Sequence, residues 1–449
     1  MAARPEELIQ GLARVCARAG IEAPRDLERL TGGATMESWR FETASGAYVL
    51  RREPSLEFME GRPFGHDVEA AIIRAAFAKG VTAPEVAAEL VPEDGIGSGF
   101  VMRALPGTPN PKEILAMEGA AGLLTEAACD LARIHSLKRA DLPEAVPVMD
   151  YREAIADLKA QFEEAGGDRP IIALGLKWME DNCPDPCEPV LVHGDYRLGN
   201  LLAEDSKLTG VLDWELAHFG DRHEDLAFGC MAVWRFARYD RPALGLGSLE
   251  EYFAAYEAES GSKVDRERFR YWMIHRTVWW AMGCLRSAKV WRDGSNRMLE
   301  RVVISRRTSE QELDLLMLLE QEAPFHERRR EPRRRTSDEF EPKGEANVGE
   351  VAMAISEWLG SVKHRMEGHD RFQLAVARNA LGIIGRDIHK EFSYLDWQDA
   401  SEDILMGTMS LASKELLSQL KFDVLEMVGV DSPKYPALAV ARKKWTGED

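Results

Sequence analysis

The spacing of apolar residues divides the chain into stretches of different period. Leu8, Leu12 and Val15 fall on one face of a helix predicted over 5–19, the spacing of an amphipathic segment. Trp39 and Phe41 then alternate with polar neighbours, ASG makes a turn, and Tyr48, Val49 and Leu50 form a second strand. Together they predict a hairpin, preceded by a Gly-Gly turn. A helix is expected over 66–79, and Gly99 to Gly107 reads as a short buried strand running into a loop.

From about residue 113 the period turns helical, with helices predicted over 113–137, 151–182, 248–260, 265–291 and 298–320. One island interrupts them, two short strands around Leu201 and Val211 joined by a polar turn. Residues 323–347 are nearly all charged or Pro, with Phe340 as the one core-forming side chain of HERRREPRRRTSDEFEPKGE. Such a stretch buries too little surface to offset ordering and reads as a linker. Residues 348–449 are helical again, with Val351, Ile355, Trp358, Leu359 and Val362 in helical register.

These periods give an α+β chain with four parts. Residues 1–105 form a β-rich lobe and 106–322 a helical lobe. Residues 323–347 link these to an all-helical accessory domain over 348–449. The length of 449 residues agrees, since a domain averages about 100–200 residues. A net charge of −19 disfavours nucleic-acid binding, which needs a basic surface against the phosphates. Six scattered cysteines include one close pair, Cys183 and Cys187, with no second pair at zinc spacing. The N-terminus lacks the apolar core of a signal peptide. No apolar run reaches the roughly 20 residues that span a bilayer. A cytoplasmic protein without a membrane partner is expected.

Candidate chemistry sits in the strand island. Phosphoryl transfer asks little covalent help from a protein; it needs metal on the phosphates, a carboxylate to orient the attacking hydroxyl, and a cation for the spreading charge. His193, Gly194 and Asp195 open a run that Asn200 closes five residues later, and Asp213 follows after a hairpin. That spacing lets a second carboxylate return to the same metal. A lone D-x-x-x-x-N is a weak signal. HGDYRLGN followed by VLDWE and GDRHEDLA is a stronger one.

The three runs resemble the signature of the aminoglycoside-phosphotransferase and choline-kinase-like enzymes over residues 27 to about 320. The resemblance implies a two-lobed, protein-kinase-like fold using ATP and Mg²⁺ to phosphorylate a small-molecule hydroxyl. It makes Asp195 the catalytic base, Asn200 and Asp213 the magnesium ligands, and Glu215 an outer group. Asp225 becomes a structural pin for the catalytic loop. Arg222 departs from the pattern, which has proline after GD. In the N-terminal lobe, GGATMESWRF resembles a phosphate-covering turn and assigns Gly32 and Gly33 to it. YVLR places Arg51 where kinases carry a phosphate-binding lysine, with Glu69 as its partner, and Arg52 leaves that register open by one. In VMRALPG, Met102 is expected to line the adenine pocket, while the Arg103 carbonyl and Leu105 amide bond the base.

Trp272, Trp279, Trp280 and Trp291 interleave with Arg276, Arg286, Lys289 and Arg292. The stripe reads either as core or as an apolar, cationic acceptor pocket suited to a hydroxyacyl thioester. Such a pocket suits a polycationic aminoglycoside badly. Three rivals stay open: a protein kinase, a nucleotide-binding scaffold without turnover, and an antibiotic phosphotransferase. Only eleven residues separate Asp213 from Asp225, too few for a peptide-cradling activation segment. The tail resembles a small bacterial domain of unknown function found beside such kinases. It is expected to pack or to assemble a homo-oligomer.

Overall fold

The computed structural model describes residues 5–30, 36–53, 64–333, 345–388 and 395–447. Gly32 and Gly33 lie outside the described residues. The chain divides into two packing units. The first holds Met1–Asp150, Pro186–Cys230 and Trp234–Phe269, and the second holds Tyr151–Asp185, Met231–Val233 and Arg270–Asp449.

The first unit carries all the strands of the described residues. Five of them, β1 (Arg25–Arg29), β2 (Glu37–Thr43), β3 (Gly46–Glu53), β4 (Val86–Glu89) and β5 (Ser98–Arg103), form one antiparallel sheet in the order β1-β2-β3-β5-β4. The predicted hairpin is β2–β3. Its alternation buries Phe41, Tyr48 and Leu50 against Leu8, Leu12 and Val15 of the helix Pro5–Arg18. The edge strands β1 and β4 are additions to the expected hairpin and buried strand. RDLER is mostly exposed and its pairing is irregular between Arg25 and Glu28, so it has no apolar period to read.

Two small ladders follow: β6 (Val190–Val192) with β9 (His218–Gly220), and β7 (Leu201–Glu204) with β8 (Lys207–Val211). The connecting segment is pinned to β7, where Thr108 and Ala203 exchange backbone bonds of 2.9 and 3.1 Å.

Several predicted helices are broken where the backbone turns left-handed. The stretch 151–182 is two helices, Tyr151–Glu164 and Pro170–Asp181, parted by Gly166 and Gly167 at φ 116° and 66°. Glycine alone adopts those angles without strain. The stretch 113–137 likewise splits at Gly119, at φ 86°, whereas 298–320 splits at Arg307 with the backbone still right-handed, at φ −75° and ψ 0°.

The second unit is helical. The helices of 348–449 share this unit with the helices of 270–322, so the expected division at 322/323 is not where the packing units part. The helix Thr308–Leu319 buries Leu313, Leu315, Leu316 and Leu319, and it packs on Leu416–Asp431 and Pro436–Thr446. Trp445 Nε1 donates to Glu320 Oε2 at 2.9 Å, and Arg306 pairs with Asp431 at 2.6 Å and Asp387 at 2.9 Å. Among the described residues, no helix is long and apolar enough to cross a membrane.

Candidate active site

The loop after β6 is shaped by one buried carboxylate. Asp225 is fully buried, and its oxygens accept from the His193 amide at 2.7 Å and the Gly194 amide at 2.9 Å. His135 Nε2 also meets it at 3.1 Å. Burial opposes the Asp225 charge, but His135, His193 and these donors outweigh it and hold its pKa below the usual range. Asp225 is thus the backbone pin the resemblance implies. Gly194 has φ 86°, and a Cβ there would lie 2.6 Å from the Leu216 carbonyl oxygen, so a side chain does not fit.

His193 fixes the other side of the loop. Its Nδ1 accepts from the Asp195 amide at 3.2 Å, so Nε2 carries the hydrogen and donates to the Leu212 carbonyl at 3.1 Å. The run that ends at Asn200 is thereby tied to the run that leads to Asp213. The Leu212 amide adds a 2.8 Å bond to the Asn200 carbonyl.

Asp195 and Asn200 then converge. Asn200 Nδ2 donates to Asp195 Oδ2 at 2.6 Å and to its carbonyl at 2.9 Å. Arg197 grips the same carboxylate, Nε to Oδ1 at 2.7 Å and Nη2 to Oδ2 at 3.2 Å. Burial pushes the Asp195 carboxyl up to about 6, with Arg197 opposing and Asp213 reinforcing. A carboxylate near that value accepts a proton far more readily than an ordinary aspartate. Arg197 carried no expectation from the sequence. The available signal was its place two residues after Asp195, with the buried Tyr196 between them turned to the core through its bond to the Ala127 carbonyl at 2.8 Å.

Asp213 sits at φ 71°, a left-handed conformation that costs a non-glycine residue and concentrates at functional sites. Burial raises its pKa, but the Arg51 guanidinium outweighs burial and holds the carboxyl below the usual range. Arg51 joins three carboxylates: Asp213 Oδ1 directly, Glu215 Oε2 at 3.3 Å and Glu69 Oε1 at 3.5 Å. Arg52 faces the other way. It is 1% exposed and donates to Glu37 Oε2 at 3.0 and 2.7 Å and to the Ile96 carbonyl at 3.0 Å. Successive strand residues point to opposite faces, so of the two arginines Arg51 is the one beside Asp213.

On β5, Met102 pairs with Val49 and Val86. The Arg103 side chain turns outward, bonding Glu85 at 2.9 Å over the Tyr48 ring. The Ala104 amide closes on the Ala47 carbonyl at 3.0 Å, which ends the sheet just before Leu105.

The aromatic stripe belongs to the second unit. Trp272 is buried edge-on to Tyr151, with ring centroids 5.3 Å apart. Trp279 and Trp280 are half-buried, and the buried Arg276 lies 4.9 Å over Trp279. Cys183 and Cys187 are not joined in a disulfide, and no His/Cys/Asp/Glu cluster of three is placed for a metal among the described residues.

The sequence model of the phosphotransferase enzyme family matches residues 26–270. Among curated proteins, mouse acyl-CoA dehydrogenase family member 10 is 28% identical over 262 residues, 52% of this chain and 24% of that protein. Chicken acyl-CoA dehydrogenase family member 11 is 28% identical over 250 residues, 52% of this chain and 31% of that protein. The chain thus spans about a quarter to a third of these two relatives. Among solved structures, a Ralstonia eutropha protein described as an aminoglycoside phosphotransferase superposes with TM-score 0.57 at 19% identity, covering 69% of this chain and 98% of that one. That likeness shows the fold, a β-rich lobe followed by a helical one.

Proposed function

The chain belongs to the phosphotransferase enzyme family, and on that premise we propose that it transfers the γ-phosphoryl group of ATP to a hydroxyl of a small molecule. The observation that carries this reading is Asp195, a half-buried carboxylate bonded to Asn200 and Arg197 in the field of Asp213, with its pKa pushed up to about 6. Asp195 takes the acceptor's proton as the acceptor oxygen bonds to phosphorus and the bond to ADP breaks. Arg51, backed by Glu69, neutralises the α- and β-phosphates, since a guanidinium can bind phosphate bidentately. Met102, the Arg103 carbonyl and the Leu105 amide take the adenine. Gly32 and Gly33 cover the phosphates.

The donor set fits magnesium. Asn200 turns its amide nitrogen to Asp195, which leaves its oxygen for a ligand, and Asp213 supplies a carboxylate. Two protein oxygens, with phosphate and water completing the shell, suit a hard cation that keeps much of its hydration. Bound there, Mg²⁺ would screen the charge that builds on the transferring phosphoryl group.

The acceptor we propose is an apolar or anionic alcohol such as a hydroxyacyl thioester. What supports it is that relatives are named for acyl-CoA chemistry; Trp272 and Arg276 of the aromatic stripe are themselves buried and add nothing to it. The compartment proposed is the cytoplasm, in keeping with six cysteines that form no disulfide among the described residues. Self-association is assigned to the tail, where Val351, Ile355 and Trp358 are 48%, 44% and 63% exposed.

The test is an ADP-release screen of hydroxylated acyl thioesters, amino alcohols, sugars and aminoglycosides, run beside Asp195→Asn. Turnover of a hydroxyacyl thioester by the wild type alone supports the reading. Turnover of aminoglycosides alone would make the chain an antibiotic phosphotransferase. ATP binding without turnover of any acceptor would make it a scaffold.

A further inference from the structure

A cavity of about 790 Å³ is lined by none of the residues assigned above to nucleotide, metal or proton transfer. Small-molecule sites commonly occupy about 300–1,000 Å³. Its walls come from the end of the helix Ala120–Ile134, the turn at Arg139, strands β6 and β9, and the end of the helix Leu249–Ser260.

Its floor is built and rigid. His135 is 6% exposed and Tyr256 is fully buried. Asp225 accepts from His135 Nε2 at 3.1 Å, so Nδ1 is the acceptor for the Tyr256 hydroxyl at 2.7 Å. Groups already held in place cost little further ordering when a ligand binds. Phe219 and Val190 supply an apolar wall.

The charge around this floor is not balanced. Arg133 is matched by Asp130 at 3.3 Å and Glu259 at 3.1 Å. Arg139 lies 5.0 Å over the Phe219 ring and donates to the backbone carbonyls of Val146 and Glu144, which carry no formal charge. Arg222 lies beside Tyr256, where its charge opposes the upward push of burial on the phenol, and Lys138 has no carboxylate partner among the described residues. Against these three cations the lining offers Glu188. Arg222 is also the residue that replaces the expected proline. Asp221 caps the helix Arg222–Phe228 with its side chain, and proline suits the position after such a cap. The fold therefore does not require arginine there.

We propose that this cavity is a second ligand site for a small organic anion. A carboxylate or phosphate is held by Lys138, Arg139 and Arg222, and an apolar body packs on Phe219 and Val190. This goes beyond phosphoryl transfer and does not depend on the acceptor.

The test is calorimetric titration of the full-length protein, saturated with ADP, with phenyl phosphate, phenylacetate and benzyl alcohol. One anion should bind at least about tenfold more tightly than benzyl alcohol, and whichever anion is preferred identifies the head group. Lys138→Ala and Arg222→Pro should each weaken that anion by about tenfold, the loss expected for one charge-assisted contact. Lys138 is exposed, so its variant keeps the test alive if Arg222→Pro fails to fold. Unchanged affinity in the variants, equal binding of benzyl alcohol, or no heat at millimolar phenyl phosphate and phenylacetate would each overturn the site. So would loss of binding in Arg51→Ala with both cavity variants unaffected, which would place the anion with the nucleotide instead. Because the readout is binding heat, an inactive Asp195→Asn that still binds phenyl phosphate would separate this inference from the proposed reaction.

Discussion

Asn200 Nδ2 donates to Asp195 Oδ2 across 2.6 Å, so the proposed metal ligand and the proposed base hold each other in place. The carboxylate they share with Arg197 is 15% exposed. An anion so placed is stabilised by its donors and penalised by its burial, and burial is the larger effect.

The first prediction follows from that balance. The folded-state carboxyl of Asp195 titrates near 6, against an ordinary 3.8. A raised acid favours the protonated fold, so the charge costs stability as pH rises from about 4 to 6, and the cost persists at pH 7. Asp195→Asn should therefore stabilise the fold at pH 7 by on the order of 1–3 kcal/mol, and lose about 10²–10⁴ of turnover. Wild-type kcat/KM should rise through an acid limb near pH 6. Thermal unfolding and a pH–rate profile check both halves; a variant less stable at pH 7 than the wild type contradicts the first.

Arg197 lowers the Asp195 pKa. Removing it with Arg197→Ala should move the acid limb of kcat/KM upward in pH, so that activity falls more at pH 6 than at pH 9. A uniform loss at all pH values would instead make Arg197 a contact for substrate.

The two neighbouring arginines should fail differently. Arg51→Ala should raise the KM for ATP, with Arg51→Lys restoring part of it. Arg52→Ala should leave KM alone and destabilise the fold by about 1–3 kcal/mol, because it removes a buried guanidinium and its bonds to Glu37 and Ile96, leaving Glu37 to the Trp39 indole at 3.1 Å and Arg29 at 3.5 Å. Denaturant titration beside ATP kinetics separates them; a KM effect from Arg52→Ala alone would reverse the assignment.

The catalytic constellation was legible because its spacing is local. Asp195, Asn200 and Asp213 are set by one loop and one hairpin, so nineteen residues carry most of the geometry. Arg51 against Arg52 was not, since strand alternation gives opposite faces but does not say which face meets Asp213, 162 positions away. Arg197 escaped for a related reason: a charged residue in a loop reads as solvated until burial is known. The helix breaks at Gly119 and Gly166 hid inside apolar periods that continue across them. The tail misled most. Its own helical period implied independence, whereas its partners lie in residues more than a hundred positions earlier, as Trp445 with Glu320 shows.

Asp213 is engaged by Arg51. Asp213→Ala should weaken Mg·ATP strongly, yet leave metal-free ATP unchanged or bound more tightly, because Arg51 is released toward the phosphates. Calorimetry with and without magnesium distinguishes this from a folding role, for which both forms would weaken alike.

The final prediction concerns the tail and the arginine-rich strap before it. A chain ending at Glu322 would uncover Leu313, Leu315, Leu316 and Leu319, all at most 1% exposed, and each such side chain is worth about 1.5–3 kcal/mol when buried. It would also strand buried carboxylates. Glu310 would lose Ser432 at 2.7 Å, Asp314 would lose Tyr435 at 2.5 Å, and Glu320 would lose Trp445. We expect that truncation to be insoluble or to unfold without a cooperative transition, and a soluble product with the wild-type Tm would show the tail to be a module of its own. The strap itself is tied down by Lys421, 1% exposed, whose Nζ donates to the carbonyls of Arg328 at 2.8 Å and Arg330 at 3.3 Å, while Ser418 Oγ donates to that of Glu331 at 2.5 Å. Backbone held this way resists a protease that must extend it. Lys421→Met keeps the apolar stem and removes the donor, so trypsin should cut after Arg328 and Arg330 several-fold faster than in the wild type. Burial also lowers Lys421 to about 8 from an ordinary 10.5. The unfolded chain then holds more protons between those values, so wild-type stability should gain from Lys421 as pH rises from 8 toward 10, a gain absent in Lys421→Met. Equal trypsin rates and parallel pH–stability curves for the two proteins would mean that the strap is held by something other than Lys421.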